Sequence, residues 1–181
     1  MWIFSNLSAI QASIFEKIHI VGRGIEDSKC TNVYVHSAAH NDGGSIISRS
    51  IEYALLQVFM SCKVKELSSD VDTWIFFLGG ETLPLPILTA RLLNKKVILL
   101  LTGSIEREAR YKNDICSKLL SSFKYTCCTL STKIVVYSKS LISFCDVEKH
   151  RHKVLIAHEH FLDFNTFTVT TPLPDRPPII G

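Results

Sequence analysis

The side chains that could do chemistry here are glycines, histidines, cysteines and a few acids, and their spacing excludes more reactions than it admits. Gly22-Arg23-Gly24 opens like a dinucleotide loop, but Ile25-Glu26-Asp27 stand where the third glycine would be needed. There is no G-x-x-x-x-G-K-[ST] run to cradle a triphosphate and no G-x-S-x-G elbow to present a nucleophilic serine. The sequence therefore names no cofactor. His150-Arg151-His152 and His158-Glu159-His160 each space two histidines as alternate residues, which share a face on a strand. The first pair sits in a basic turn with Glu148, Lys149 and Lys153, and the second has no evident thiolate or carboxylate partner, so no metal ligand is assigned. The six cysteines, Cys30, Cys62, Cys116, Cys127, Cys128 and Cys145, form no C-x-x-C pair, and most lie in apolar segments. That usage reads as buried free thiols in a reducing, cytoplasmic setting.

Positioning these groups is the task of an alternating series of strands and helices. Short apolar runs at 18–21, 32–35, 74–78, 97–101, 133–136 and 153–156 read as strands. Helices are expected over 45–67, with Ile47, Ile51, Ala54, Leu55, Val58, Phe59 and Cys62 as the apolar face, and over 83–93, with its prolines confined to the start. Residues 105–131 read as one long helix with Ile115, Leu119 and Phe123 as its stripe, and 140–145 as a short one. Such alternation calls for an α/β fold: a single Rossmann-like domain, with a mostly parallel sheet and helices on both faces. Runs 74–78 and 97–101 are apolar throughout, which predicts adjacent, central strands buried on both sides.

In an open parallel sheet, ligands bind beyond the carboxyl ends of the strands. Those ends carry Gly22, Gly24, His36, Gly79-Gly80-Glu81, Gly103-Ser104, Ser138 and His158-Glu159-His160. Glycine lets a ligand approach the backbone, and the next helix start favours an anionic or hydroxyl oxygen. The candidate binding set is Gly79, Gly80, Glu81, Gly103, Ser104 and His158. Glu81 can accept hydrogen bonds from hydroxyls, and Ser104 can cap its helix as well as donate to a ligand.

Composition bounds the alternatives. The 181 residues suit one domain, and 46% hydrophobic with 20% charged residues can build a core. Twenty basic against 17 acidic residues give a net charge of +3, too mild to argue for a nucleic-acid partner. The longest strongly apolar runs are about five residues, against roughly 20 for a spanning helix, and no basic residue precedes Lys17 as a signal peptide would require. Arg107, Arg110, Lys112, Lys118 and Lys124 beside the 115–123 stripe describe a basic amphipathic helix, which permits peripheral contact with a membrane face. The stripe is better explained as cover for the sheet.

From Asp72 onward the chain resembles the N-terminal half of a family 4 (group 1) glycosyltransferase. The residues that carry the likeness are Asp72-Thr73-Trp74-Ile75-Phe76-Phe77-Leu78-Gly79-Gly80, Leu88-Thr89-Ala90-Arg91-Leu92-Leu93-Asn94-Lys95-Lys96-Val97-Ile98-Leu99, Lys133-Ile134-Val135-Val136-Tyr137-Ser138 and His160-Phe161-Leu162-Asp163-Phe164-Asn165-Thr166-Phe167. The last is similar to the family's N-G-V-D-x-x-x-F signature: Asp163 and Phe167 match, Leu162 stands for Val, and His160 and Phe161 depart from Asn and Gly. The likeness covers about two-thirds of the chain. It implies residues 1–171 as an acceptor-side Rossmann-like domain, with 172–181 as linker and start of a donor domain, so that the chain reads as a truncated form whose first strand and loop are also missing. It further implies a retaining transfer of a hexose from a nucleotide-sugar, held by the absent domain, to a glycan or lipid-linked acceptor at Gly79, Gly80, Glu81, Gly103, Ser104 and His158. The family's usual histidine after the strand at 97–101 is replaced by Gly103-Ser104, so no catalytic residue is carried over. Two other readings stay open: a non-catalytic Rossmann-like binding module, and a flavodoxin-like protein that binds a nucleotide or flavin.

Overall fold

The computed structural model describes residues 14–25, 27, 30–38, 46–111 and 117–157. Strand β1 (Ile18–Arg23) pairs in parallel with β2 (Val33–Ala38), Ile18 opposite Val33 and Arg23 opposite Ala38. Helix α1 (Ile46–Glu66) follows, then β3 (Thr73–Phe76), α2 (Pro84–Leu92), β4 (Lys96–Leu101), α3 (Ile105–Tyr111) and α4 (Ser117–Leu130). The described chain continues through β5 (Lys133–Val136), α5 (Ser140–Phe144) and β6 (Val154–Ile156). One-turn 3-10 segments lie at Leu67–Ser69 and Gly80–Thr82, and Glu148–Lys153 holds two more either side of a kink at His150. Strands β3 to β6 form a second, wholly parallel sheet in the order β3-β4-β5-β6. Neighbouring parallel strands cannot be joined by a tight turn, so each connection crosses over the sheet, and most carry a helix. The result is an α/β, Rossmann-like architecture.

The core lies against one face of the four-stranded sheet. Trp74 and Phe76, Val97, Leu99 and Leu101, and Ile134 and Val136 all point into it. Ile87 and Ala90 of α2, Cys127 and Cys128 of α4, Val64 of α1, and Cys145 and Val147 complete the cluster. Period-two alternation puts the intervening residues on the other face, where Ile75 is 46% exposed and Leu155 is also exposed.

Three sequence expectations need correction. Strand β3 is the outer member of its sheet, not a central one, because among the described residues β4 is its only partner within that sheet. Its apolar run is buried on one side, and Leu78 lies past the strand end, half exposed, with a left-handed φ of 43°. The stripe expected to seat α1 faces outward instead: Ile51, Leu55 and Val58 are more than half exposed, and Ala54 and Cys62 are exposed too. The helix turns Tyr53, Gln57, Met60 and Val64 inward, because Tyr53 and Gln57 hydrogen-bond to the turn and helix beneath. The stretch 105–131 is two described helices, not one. Leu119 is exposed and Phe123 half-buried, stacked at 6.5 Å on Tyr53, while Ile115 lies outside the described residues.

Candidate functional site at the carboxyl edge of β3 and β4

Beyond the end of β3 the backbone turns sharply. Leu78 and Gly79 both hold positive φ, 43° and 87°. Glycine takes that region freely, whereas leucine there carries strain of about 1–2 kcal/mol. The 3-10 turn Gly80–Thr82 is then fastened from several directions. The Thr82 N–H and its hydroxyl both donate to the Gly79 carbonyl, at 2.9 and 2.8 Å. The Tyr53 hydroxyl donates to the Thr82 carbonyl, and the Gln57 side-chain oxygen accepts from the Leu85 N–H at 3.1 Å. Helix α1 thus fixes both the turn and the start of α2.

Glu81 is 4% exposed, and its Oε1 accepts from the Ile105 N–H at 2.7 Å, at the start of α3. It therefore ties the turn after β3 to the helix after β4. Burial pushes its carboxyl above the ordinary value, against the pull of the Ile105 hydrogen bond and of Lys124. Buried Ser104 accepts from the Arg107 N–H at 3.4 Å. Of the candidate residues, Glu81 and Ser104 are thus placed as internal caps of α3. Gly80 is buried, and a Cβ there would stand 2.7 Å from the Cβ of Phe76. Packing against β3 is what requires glycine at that position. Gly103 differs: a Cβ there would meet nothing within 4 Å, and its carbonyl accepts from the Cys145 thiol at 3.2 Å. The structure brings Gly79, Gly80, Glu81, Gly103 and Ser104 to one edge, whereas His158 lies outside the described residues.

Beneath this edge lies a buried ion cluster that sequence reasoning missed. Lys124 is 5% exposed and Glu106 2%, and Lys124 Nζ stands 2.5 Å from Glu106 Oε2 and 3.7 Å from Asp146 Oδ2. Arg110 pairs with the other oxygen of Glu106, and Arg107 pairs with Asp146 at 2.9 Å. Burial pushes the Glu106 carboxyl up, but Lys124, Ser121 and Arg110 outweigh it and hold the group below its ordinary value. The sequence signal was a lysine four residues from Leu120 on a helix otherwise read as basic outside. Nothing in its spacing marks Lys124 as inward-facing, because its partner Glu106 belongs to another helix. Lys124 is therefore engaged internally, which removes it from the expected basic face, whereas Arg107 and Arg110 form ion pairs while their side chains stay 43% and 60% exposed.

The thiols nearby are chemically quiet. Burial pushes Cys127 and Cys128 up to about 12 and Cys145 up to about 11. Gly22, Gly24 and His36 belong to the separate β1–β2 sheet, where His36 Nε2 meets His19 Nδ1 at 3.1 Å, whereas Ser138 follows β5, the neighbour of β4, and meets Ser140 at 2.8 Å. No group of three or more potential metal ligands occurs among the described residues. An open cleft of about 420 Å³ lies at the opposite edge, lined by Glu16, Lys17, Tyr34 and Asp70. Lys17 and Asp70 neutralise each other there at 2.6 Å, so its volume is not matched by available chemistry. Among the described residues no helix is long and apolar enough to cross a membrane.

No protein-family model matches the sequence, and no curated protein matches it either.

Proposed function

We propose that this chain is the acceptor-binding half of a retaining glycosyltransferase, which moves a hexose from a nucleotide-sugar to a glycan or lipid-linked acceptor. The observation that carries the reading is the open backbone at Gly103, beside the strained Leu78-Gly79 turn, at the carboxyl edge of a parallel sheet. An acceptor hydroxyl can approach that backbone without displacing a side chain. The sequence likeness from Asp72 to Ser138 falls on β3, α2, β4 and β5, the elements that build this edge.

On this reading Glu81, Ser104 and the Glu106–Lys124 pair act as positioning residues. They hold the Gly103 turn and α3 in place, and a rigid edge lowers the entropy lost on binding. The nucleotide-sugar is held by a partner domain, so the 181 residues bind without turning over. Chemical-shift mapping with an oligosaccharide series tests the site. Shifts should centre on Gly79 and Gly103, and Gly103→Val should abolish them while leaving the fold intact. Shifts centred on Lys17 and Asp70, or undiminished in Gly103→Val, would refute the site.

A further inference from the structure

A second cleft lies beside β6, between α5 and the Glu148–Lys153 turn that leads into that strand. It encloses about 240 Å³. Its lining is of mixed character. Ile142, Val154 and Ile156 supply an apolar floor, Lys139 and Arg151 two cations, and Glu148 and Ser143 two further hydrogen-bonding groups. Lys139 and Arg151 are exposed, and neither has an ion-pair partner among the described residues. That contrasts with Arg107, Arg110 and Lys124, whose charges are matched within the fold. The same turn also carries Lys149 and Lys153, so lysine and arginine outnumber the Glu148 carboxylate around the cleft.

We propose that this cleft binds a sugar bearing a phosphate ester. Two cations converging on one opening suit a phosphate, which takes charge-assisted hydrogen bonds from an ammonium and from the planar fork of an arginine. Phosphate alone leaves the rest of the lining without purpose. The Glu148 carboxylate accepts from hydroxyls, Ser143 both donates and accepts, and the floor covers the C–H face of a ring. The cleft is smaller than the usual range for drug-sized ligands, about 300–1,000 Å³, and suits one ring with its phosphate. The phosphosugar is either free in solution or the head of a lipid whose chain stays in a bilayer. This assignment stands apart from the transferase reading, because it needs only the cleft and its charges.

Isothermal titration of the full 181-residue chain with glucose 1-phosphate, inorganic phosphate and glucose tests it, with co-sedimentation on phosphatidylinositol vesicles as a further arm. Glucose 1-phosphate should bind saturably, more tightly than either of its parts, and more weakly as salt is added. Lys139→Met and Arg151→Met keep the apolar stems and should each weaken binding roughly tenfold with an unchanged melting temperature. Glu148→Gln should reduce the preference for glucose 1-phosphate over inorganic phosphate. Vesicle binding that needs Arg151, with no binding of the free phosphosugar, supports the same site with a lipid source. Equal affinity for inorganic phosphate and glucose 1-phosphate, binding unchanged in the double variant, or no binding in either arm would overturn the proposal.

Discussion

Glu81 and Glu106 are both almost fully buried, yet they sit on opposite sides of the ordinary carboxyl value, and this gives them opposite effects on stability. Glu106 is held low, chiefly by Lys124 against the cost of burial, so its contribution is complete above the unfolded carboxyl range and is lost as pH falls through the folded value. Glu106→Gln leaves the Lys124 ammonium buried with only Asp146 at 3.7 Å and should cost about 3 kcal/mol at neutral pH. Denaturant melts at stepped pH should show that difference closing below about pH 4. Glu81 is raised by burial, so its ionised form opposes folding as pH rises through the ordinary carboxyl range. Glu81→Gln keeps an oxygen for the Ile105 N–H and should match or exceed the parent at neutral pH, with the gain vanishing in acid. A Glu81→Gln variant that is less stable at neutral pH would show that the ionised carboxylate is what α3 requires. The glycines separate in the same way. Gly80→Ala meets Phe76 at 2.7 Å and should cost about 1–3 kcal/mol, whereas Gly103→Ala meets nothing and should stay within about 0.5 kcal/mol. Equal melting temperatures for the two would reject this division between packing and open edge.

At the scale of elements, helix α1 shows what periodicity can and cannot decide. Its span was legible, because an apolar repeat of three to four residues over some 20 positions has no other regular solution. Its orientation was not. Ile51, Leu55 and Val58 form the more apolar stripe, yet the stripe that packs carries Tyr53 and Gln57. Those two side chains hold backbone groups of the turn after β3 and of α2, partners that no local pattern reveals. The cluster below the site was hidden for the same reason: Glu106 and Lys124 belong to different helices, and their meeting is a tertiary fact. The strands fared better. Apolar runs ending in glycine located β3 and β4 and the edge they form, but two-sided apolarity overstated how deeply β3 lies. The role of Gln57 is directly testable. Helix α2 begins at Pro84 behind an N-cap, Leu83, that offers no side-chain hydrogen bond, and Gln57 supplies the acceptor for its Leu85 amide. Gln57→Ala should therefore cost about 1 kcal/mol, with amide exchange quickening first at Leu85, and Gln57→Glu, whose ionised carboxylate would be buried, should recover the loss only in acid. Uniform quickening across all of α2, α4 and the sheet would assign the loss to core packing instead.

At the scale of the molecule, the distribution of charge bears on what the chain can do unaided. Transfer from a nucleotide-sugar needs cations free to hold the departing diphosphate as its charge develops. At the β3–β4 edge the nearby cations are committed: Lys124 and Arg110 to Glu106, and Arg107 to Asp146 and the Ser143 carbonyl. Releasing Lys124 would leave buried Glu106 with only the exposed Arg110, at a cost of about 3–5 kcal/mol for the buried pair, whereas the exposed Arg107 and Arg110 pairs are each worth about 1 kcal/mol or less. Lys139 and Arg151, which have no ion-pair partner among the described residues, line the separate cleft beside β6, where two charges suit one phosphate ester better than a diphosphate with its nucleoside. The expected outcome is that the 181-residue protein, supplied with UDP-glucose or GDP-mannose and an oligosaccharide acceptor, releases nucleoside diphosphate no faster than the protein-free control. Release above that background, abolished by Gly103→Val and not by Arg151→Met, would place a complete transfer site at the β3–β4 edge. It would also mean that a cation at this edge leaves its carboxylate during turnover, with the exposed Arg107 and Arg110 released at less cost than buried Lys124.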